Sequence, residues 1–571
     1  MRINKVAALT LLLSAAVFGK HPNTSPDLPA TGAVNVVIQY TAPATAAQHA
    51  MVAANGGTLV QTLNSVNGAS YTVPAAAIGA IAGDPSVVYI SPDRAVASSL
   101  EFANPTVNAN IAFAAGYTGG GIAIAVIDSG INNHDDLQGT GKKAASRIVY
   151  SQSFVAGEDA TDGWGHGTHV AGVLAGNGSD SSHDSVTFKG MAPQASLVNL
   201  KVLDSKGQGA DSAVIAAIEQ AVALSKTYNI RVINLSLGRP VFESYAVDLL
   251  CQAVEYAWRN GIVVVVAAGN GGRNTSFETN GYGTILAPGN DPYAITVGAM
   301  KDESTISRSD DLIASYSSKG PTAIDHIVKP DIVAPGNQVV SLATSSTVLY
   351  SSAQGTSSLI KNKYYGGAGN NNSSQYFRLS GTSIAAPMVA GAAALLVMQN
   401  PLLTADQIKA RLMRTSTKSF PAYSSVTDPT TGIVYTSQYD IFTVGAGYLD
   451  IWAALNDTTA PASGSAVSPT AVVDPSSGNV YLADTNTLNA SGLSTVWGSS
   501  TVWGSSTVWG STVLLSNVSG SSTVWGSSTV WGSGFVSGAS TVWGSSTVWG
   551  SSTVWGSSTV WGSDLQFNGE Q

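Results

Sequence analysis

Three short segments carry side chains that together could do nucleophilic and acid–base chemistry. Asp128 lies in Ala125-Val-Ile-Asp-Ser-Gly130, His166 opens His166-Gly-Thr-His-Val-Ala-Gly172, and Ser383 lies in Ser380-Gly-Thr-Ser-Ile-Ala-Ala-Pro387. A serine hydroxyl is a poor nucleophile at neutral pH until an adjacent base takes its proton. Imidazole can take that proton and hand it on, and a carboxylate can fix the imidazole tautomer and stabilise its cation. Each segment is weak evidence by itself, because a Gly-Thr-Ser tripeptide or a lone His is common in ordinary loops and cores.

The surrounding pattern supplies elements that would position the three side chains. Residues 122–127 form a continuous apolar run that reads as a buried strand, and Asp128 sits at its C-terminal end, where sites collect in open α/β sheets. Ser383 stands at the start of an apolar helix expected over 384–398. There, unpaired N–H groups and the helix dipole favour a developing negative charge. Pro387 is expected near the first turn, where a missing N–H matters least. Further strands are expected at 232–235 and 262–267, with helices starting at Ser212 and spanning 246–258. This βαβ rhythm predicts an α/β fold: a parallel sheet with helices on both faces. A capping box, Thr404 to Gln407, predicts a late helix over 405–415.

The three segments, in the order Asp, His, Ser, resemble the signatures of the subtilisin-like serine proteases (the subtilase family). The resemblance implies a serine endopeptidase acting through an acyl-enzyme, with Asp128, His166 and Ser383 as the triad. It implies that Asn270, at the end of the apolar run 263–270, donates to the oxyanion together with the Ser383 backbone N–H. The segment Asn234-Leu-Ser-Leu-Gly238 resembles the family strand that pairs with the substrate backbone, which assigns Ser236, Leu237 and Gly238 to substrate binding. Ala268 and Gly269 would face them across the first specificity pocket. Pairing through the backbone implies broad protein or peptide substrates. Leu286 departs from the many relatives with Gly at the pocket base, and a Leu there would favour small or medium residues. The residue after the nucleophile, often Met in the family, is Ile384. No cofactor is expected for catalysis. Structural calcium, common among relatives, is possible. Asp135, Asp136, Asp180 and Asp184 are its candidate ligands, with plain solvated loop acids as the alternative and the metal site left unknown. A Ser/Asn/Gly-rich stretch, 345–376, is expected to be a rim on the cleft or a surface flap.

The rest of the chain divides by composition. Residues 1–20, with Arg2 and Lys5 before an apolar run, read as an export signal, so a secreted or cell-surface location is expected. No other segment reads as long and apolar enough to cross a membrane. Residues 32–98 read as strand, helix, two strands, helix and strand, a small ferredoxin-like α+β unit that resembles the family's inhibitor propeptide. Residues 100–457 would be the catalytic domain. From 458 to 571 the chain is a low-complexity tail in which Ser-Thr-Val-Trp-Gly-Ser recurs, with tryptophans from Trp497 to Trp561. A stacked β-structure and a self-associating disordered tail are both open, as are cell-surface, sugar or self binding. An adhesin carrying a processing protease, or an inactive relative used for binding, are the competing readings. The net charge of −9 and pI of about 5.2, with no basic stripe, exclude nucleic acid as an expected partner. Cys251 is the single cysteine, so no disulfide forms within the chain, and its apolar helical setting predicts a buried, inert thiol.

Overall fold

A computed structural model describes residues 23–25, 28–29, 31–63, 67–92, 99–139, 144–182, 186–274, 279–352, 358–366, 369–428, 431–458, 466–473, 480–483 and 559–561. The expected signal and almost all of the repeat tail lie outside these residues. The chain forms two compact units, 1–96 and 97–571.

In the first unit, strands β1 (Ala33–Tyr40), β2 (Thr58–Leu63), β3 (Gly68–Pro74) and β4 (Val87–Pro92) pair antiparallel in the order β2-β3-β1-β4. Helices Ala46–Ala54 and Ile78–Ala82 complete the βαββαβ pattern of a ferredoxin-like unit. Alternation along β1 sends Val34, Val36, Ile38 and Tyr40 into a core shared with Val52, Tyr71, Ile81 and Ile90.

The second unit is built on a sheet whose path is β12-β11-β10-β9-β5-β7-β6, with β13 also pairing with β11. Its strands are β5 (Ala123–Asp128), β6 (Ile148–Ser153), β7 (Ser196–Lys201), β9 (Ile230–Leu235), β10 (Val263–Ala267), β11 (Ile295–Lys301), β12 (Leu312–Ile313) and β13 (Ile332–Pro335). A short strand, β8 (Gln208–Ala210), lies outside that sheet. Pairing is parallel except for β12, which returns antiparallel on β11, so the expected all-parallel sheet is a mixed one. The apolar runs are buried on both faces. Ala123, Ala125 and Ile127 of β5 join Val264 and Val266 of β10 in one core, under the helices Asp211–Tyr228 and Leu249–Arg259. Ile124, Val126, Val263 and Val265 join the other core, with helices His166–Ala175 and Thr382–Gln399.

Two helices differ from expectation for local reasons. The helix expected from 246 begins at Leu249, because the Asp248 carboxylate caps it by accepting from the N–H groups of Leu250 and Cys251. The Thr382–Gln399 helix is long and apolar enough to span a membrane, contrary to the sequence expectation, but 89% of it is buried in the core. The Thr404–Gln407 capping box forms as expected. Cys251 is fully buried, its Sγ donates to Asn290 Oδ1 at 3.3 Å, and burial first of all pushes its thiol well up. Described parts of the 345–376 stretch form regular structure. Val339–Leu342, Asn372–Leu379 and Leu359–Lys361 form a three-stranded sheet, and Tyr365 and Tyr376 pack on Phe188. In the tail, Thr559–Trp561 pairs antiparallel with β8.

Candidate active site

The C-terminal ends of β5, β9 and β10 bring Asp128, the 236–238 segment and the 268–270 segment to one edge of the sheet. His166 is the first residue of its helix and Ser383 the second of its own, and these two helices pack together over that edge. The N-terminus of the His166 helix is held by a residue the sequence reading missed. Gly165 takes the cap position at φ +106° and has no side chain to offer. Asp162 does the capping instead: its Oδ1 accepts from Gly165 N–H at 2.7 Å and from Ser129 Oγ at 2.8 Å, and its Oδ2 from Thr168 N–H at 2.8 Å. An acid four residues ahead of a His-led helix was the available signal. Gly167 allows the helix to lie against the strand end, since a Cβ there would sit 2.2 Å from the Gly130 carbonyl oxygen.

His166 Nδ1–H donates to Asp128 Oδ1 at 2.8 Å, and both side chains are buried, at 1% and 0% exposure. The same oxygen accepts from Ser129 N–H at 2.7 Å. Burial pulls the imidazole pKa down, but the Asp128 charge, its hydrogen bond and the Asp162 charge outweigh it and raise His166 above its ordinary value. His169, one turn on, behaves oppositely: burial, then the neighbouring His166, push it down to about 3. Its Nε2 bonds the Val339 carbonyl at 3.1 Å and its ring meets Phe377 edge-on, so it is a neutral core histidine.

Ser383 is fully buried and its Oγ has no hydrogen-bond partner among the described residues. Gly381 lies between Ser383 and Asn270, since a Cβ built there would be 3.0 Å from Ser383 Oγ and 3.2 Å from Asn270 Nδ2. Asn270 Oδ1 accepts from Thr382 N–H at 2.9 Å, which fixes the amide orientation. Pro387 stands in the second turn rather than the first, because the helix starts at Thr382. Its missing N–H is the one that would bond the Ser383 carbonyl, and Ser236 Oγ donates to that oxygen at 2.6 Å instead. The Ser236 side chain is therefore spent on positioning the nucleophile.

Leu237 and Ala268 are buried, and Gly238 and Gly269 face the same side chain. A Cβ on Gly238 would lie 2.9 Å from Leu286 Cβ, and one on Gly269 would lie 2.7 Å from Leu286 Cγ. Leu286 thus fills the space between the two expected walls.

Of the expected calcium ligands, Asp136 and Asp180 come together, joined by His134, which the sequence reading did not name; their ligand atoms lie within 4.8 Å of one another. Asp135 is exposed, and Asp184 lies outside the described residues. Several of the cluster's donor atoms are already engaged. Asp136 accepts from Tyr376 OH and Asp180 N–H, both at 2.8 Å, and both His134 nitrogens are in hydrogen bonds, to Asp136 N–H and the Gln375 carbonyl. Asp180 Oδ2 has no hydrogen-bond partner among the described residues and lies 3.6 Å from His134 Nδ1.

Comparison with known proteins matches residues 119–432 to the subtilase family. The chain is 38% identical over 298 residues to serine protease AprX of Bacillus subtilis, covering 51% of this chain and 60% of that one. It is 34% identical to subtilisin E of Bacillus subtilis over 64% of this chain and 80% of that one. It is 36% identical to subtilisin DY of Bacillus licheniformis over 56% of this chain and 93% of that one.

Proposed function

The chain belongs to the subtilase family and is a serine-type endopeptidase of the subtilisin type, and from that premise we propose that it cleaves proteins with Ser383 as nucleophile, His166 as base and acid, and Asp128 as the group that orients His166. One observation carries the assignment of residues: the buried 2.8 Å His166–Asp128 bond beside the corner where Ser383 and Asn270 flank Gly381.

Because Nδ1 is committed to Asp128, His166 offers Nε2 to the serine. Ser383 Oγ attacks the scissile carbonyl carbon as its proton passes to Nε2, and the carbonyl electron pair moves onto oxygen. That oxyanion takes hydrogen bonds from Asn270 Nδ2 and the Ser383 backbone N–H. Collapse expels the amine, which receives the proton from His166. Water then attacks the acyl-enzyme by the same route, releasing the acid and restoring Ser383. The raised His166 pKa favours the imidazolium formed between these steps. No step calls on a cofactor.

The substrate backbone lies along residues 236–238 and 268–269, and Leu286 restricts the pocket between them to small or medium side chains. Residues 1–20 direct export, and residues 32–98 act as an inhibitory propeptide removed by self-cleavage. The tail binds its own catalytic unit, a reading supported by the pairing of Thr559–Trp561 with β8. Expression of Ser383→Ala tests the reading. We expect no casein hydrolysis and an uncleaved precursor, whereas the unaltered protein matures and digests casein. Normal maturation of the variant expressed alone would reject self-processing.

A further inference from the structure

One strand of the second unit stands outside the main sheet, and its two ends are tied to the catalytic cleft. Just before β8, a Cβ on Gly207 would meet Trp164 Nε1 at 2.9 Å, and Trp164 stands two residues before His166. Just after β8, Asp211 accepts from Arg239 Nε at 2.9 Å, and Arg239 directly follows Gly238. The 236–238 segment itself starts at the catalytic centre, since Ser236 Oγ donates to the Ser383 carbonyl. Both segments therefore run outward from the catalytic residues, one from 208 to 210 and the other from 236 to 238.

The backbone of β8 is open to a partner. Gln208 and Gly209 are half-buried and Ala210 is exposed. Among the described residues its one strand partner is Thr559–Trp561 of the tail. The register is antiparallel: Thr559 is opposite Ala210, Val560 opposite Gly209 and Trp561 opposite Gln208. The tail backbone thus runs inward, and its C-terminal end points to the end of β8 beside Trp164 and His166. A substrate must have the same polarity on this side, because its C-terminal end carries the carbonyl that Ser383 attacks. Backbone pairing of this kind holds an added strand whatever its side chains.

The tail sequence fits the same cleft independently. Trp561 is followed by Gly562 and Ser563, and Gly-Ser also follows each earlier tail tryptophan from Trp497 to Trp555. Leu286 fills the space between Gly238 and Gly269 and leaves room for small or medium side chains, which Gly and Ser satisfy. No Asp, Glu, Lys or Arg lies between Asp484 and Asp564, so no charge opposes entry of any repeat. Tethering makes docking intramolecular, which raises the effective concentration of every repeat at the edge.

We propose that the Trp repeats are the enzyme's own tethered substrate: a repeat docks on β8 as an added strand, and Ser383 cuts the chain after the Gly or Ser that follows its Trp. This rests on the proteolytic reading above. The carbonyl of Gly562 or Ser563 acylates Ser383, the next residue leaves as a free amine, and water then releases the acid. Each cut shortens the tail and frees the edge for an earlier repeat. Until they are removed, the repeats compete with other substrates for the cleft.

The test uses the full chain, produced with a reversible serine-directed boronate that keeps the tail whole. Hydrolysis starts when the boronate is removed. Mass spectrometry should show chain ends at Trp-Gly or Trp-Gly-Ser, six residues apart within each run of repeats, and Ser383→Ala should keep its tail. The rate constant for trimming should be unchanged over about a hundredfold dilution, as an intramolecular step requires. A peptide of two Ser-Thr-Val-Trp-Gly-Ser units should be cut at the same bond and should slow casein hydrolysis competitively. Casein hydrolysis with an intact tail would overturn this inference and leave the proteolytic reading standing, whereas loss of both would overturn that reading too. Cuts without the six-residue period, a rate constant that falls in proportion to dilution, or a peptide that is neither cut nor competitive would also overturn it.

Discussion

Strand β11 has buried carboxylates at both ends, and they are treated in opposite ways. Near its start, Asp331 accepts from Thr296 N–H at 2.7 Å and Ser468 Oγ at 2.6 Å. It also meets Lys329 Nζ at 2.7 Å and Lys409 Nζ at 3.1 Å, with all three charged side chains at 0% exposure. Burial alone would raise its pKa, but the two ammonium groups outweigh it and hold Asp331 below the usual range. Past the other end, Asp302 and Asp311 form no ion pair among the described residues, the Arg308 charge does not offset burial at Asp311, and both are raised. The difference teaches that this core does not simply avoid buried charge. It neutralises one end with paired ammonium groups, while at the other burial raises the carboxyls so that protonation removes the charge.

Asp128, a third buried carboxylate of the same sheet, sets the scale for activity. Asp128→Asn should lower kcat by about 10⁴-fold, since an amide would favour the wrong His166 tautomer while preserving the shape. Steady-state hydrolysis of a peptide substrate measures this, and unfolding should change little. Asp331→Asn should sharpen the contrast on the stability side. It strands two buried ammonium groups with reduced compensation and should cost about 3–5 kcal/mol, read from denaturant unfolding of the Ser383→Ala protein.

The pH dependence should separate the two ends further. Asp331 has a depressed folded pKa, so its contribution is complete above its unfolded value of about 3.9 and is lost only as pH falls through the folded value. Asp302 and Asp311 have folded values raised to about 7 and about 8, so the folded state holds more protons than the unfolded one from about pH 4 up to those values. Stability must therefore fall as pH rises across that window. The Tm of the Ser383→Ala protein should drop from about pH 5 to about pH 8 more steeply than that of its Asp311→Asn derivative. Identical slopes would remove the distinction between the two ends. The smallest effect is expected at Ile384, which is fully buried beside the nucleophile and cannot form a sulfoxide. Met388, a turn deeper, is also fully buried. Residual activity after mild peroxide should be higher than in Ile384→Met, and equal rapid loss in both would point to Met388 or another residue.

What was legible in the sequence follows from how local each signal is. The βαβ rhythm, the capping box at Thr404 and the Asp, His and Ser segments are contiguous patterns, and the elements lie within a few residues of expectation. Asn270 was legible as the end of an apolar strand, and the Leu286 departure as one side chain at a recognisable position. Asp162 was not, because an acid in a Gly-rich loop reads as solvated until the Gly165 cap requires it. The role of Ser236 depends on Pro387 freeing a carbonyl 147 residues away in sequence. The Asp302–Asp311 opposition is set by a hairpin register, which no composition or periodicity reveals in a chain segment this short.

The central claim is that Ser383, activated by the Asp128–His166 pair, is the group that attacks substrate. Labelling the mature enzyme with a serine-directed phosphonate and mapping the adduct by mass spectrometry tests it most directly. A single adduct is expected on Ser383, formed in step with loss of casein hydrolysis and absent from Asp128→Asn over the same period. An adduct on another residue, or full caseinolysis after Ser383 is completely labelled, would contradict it.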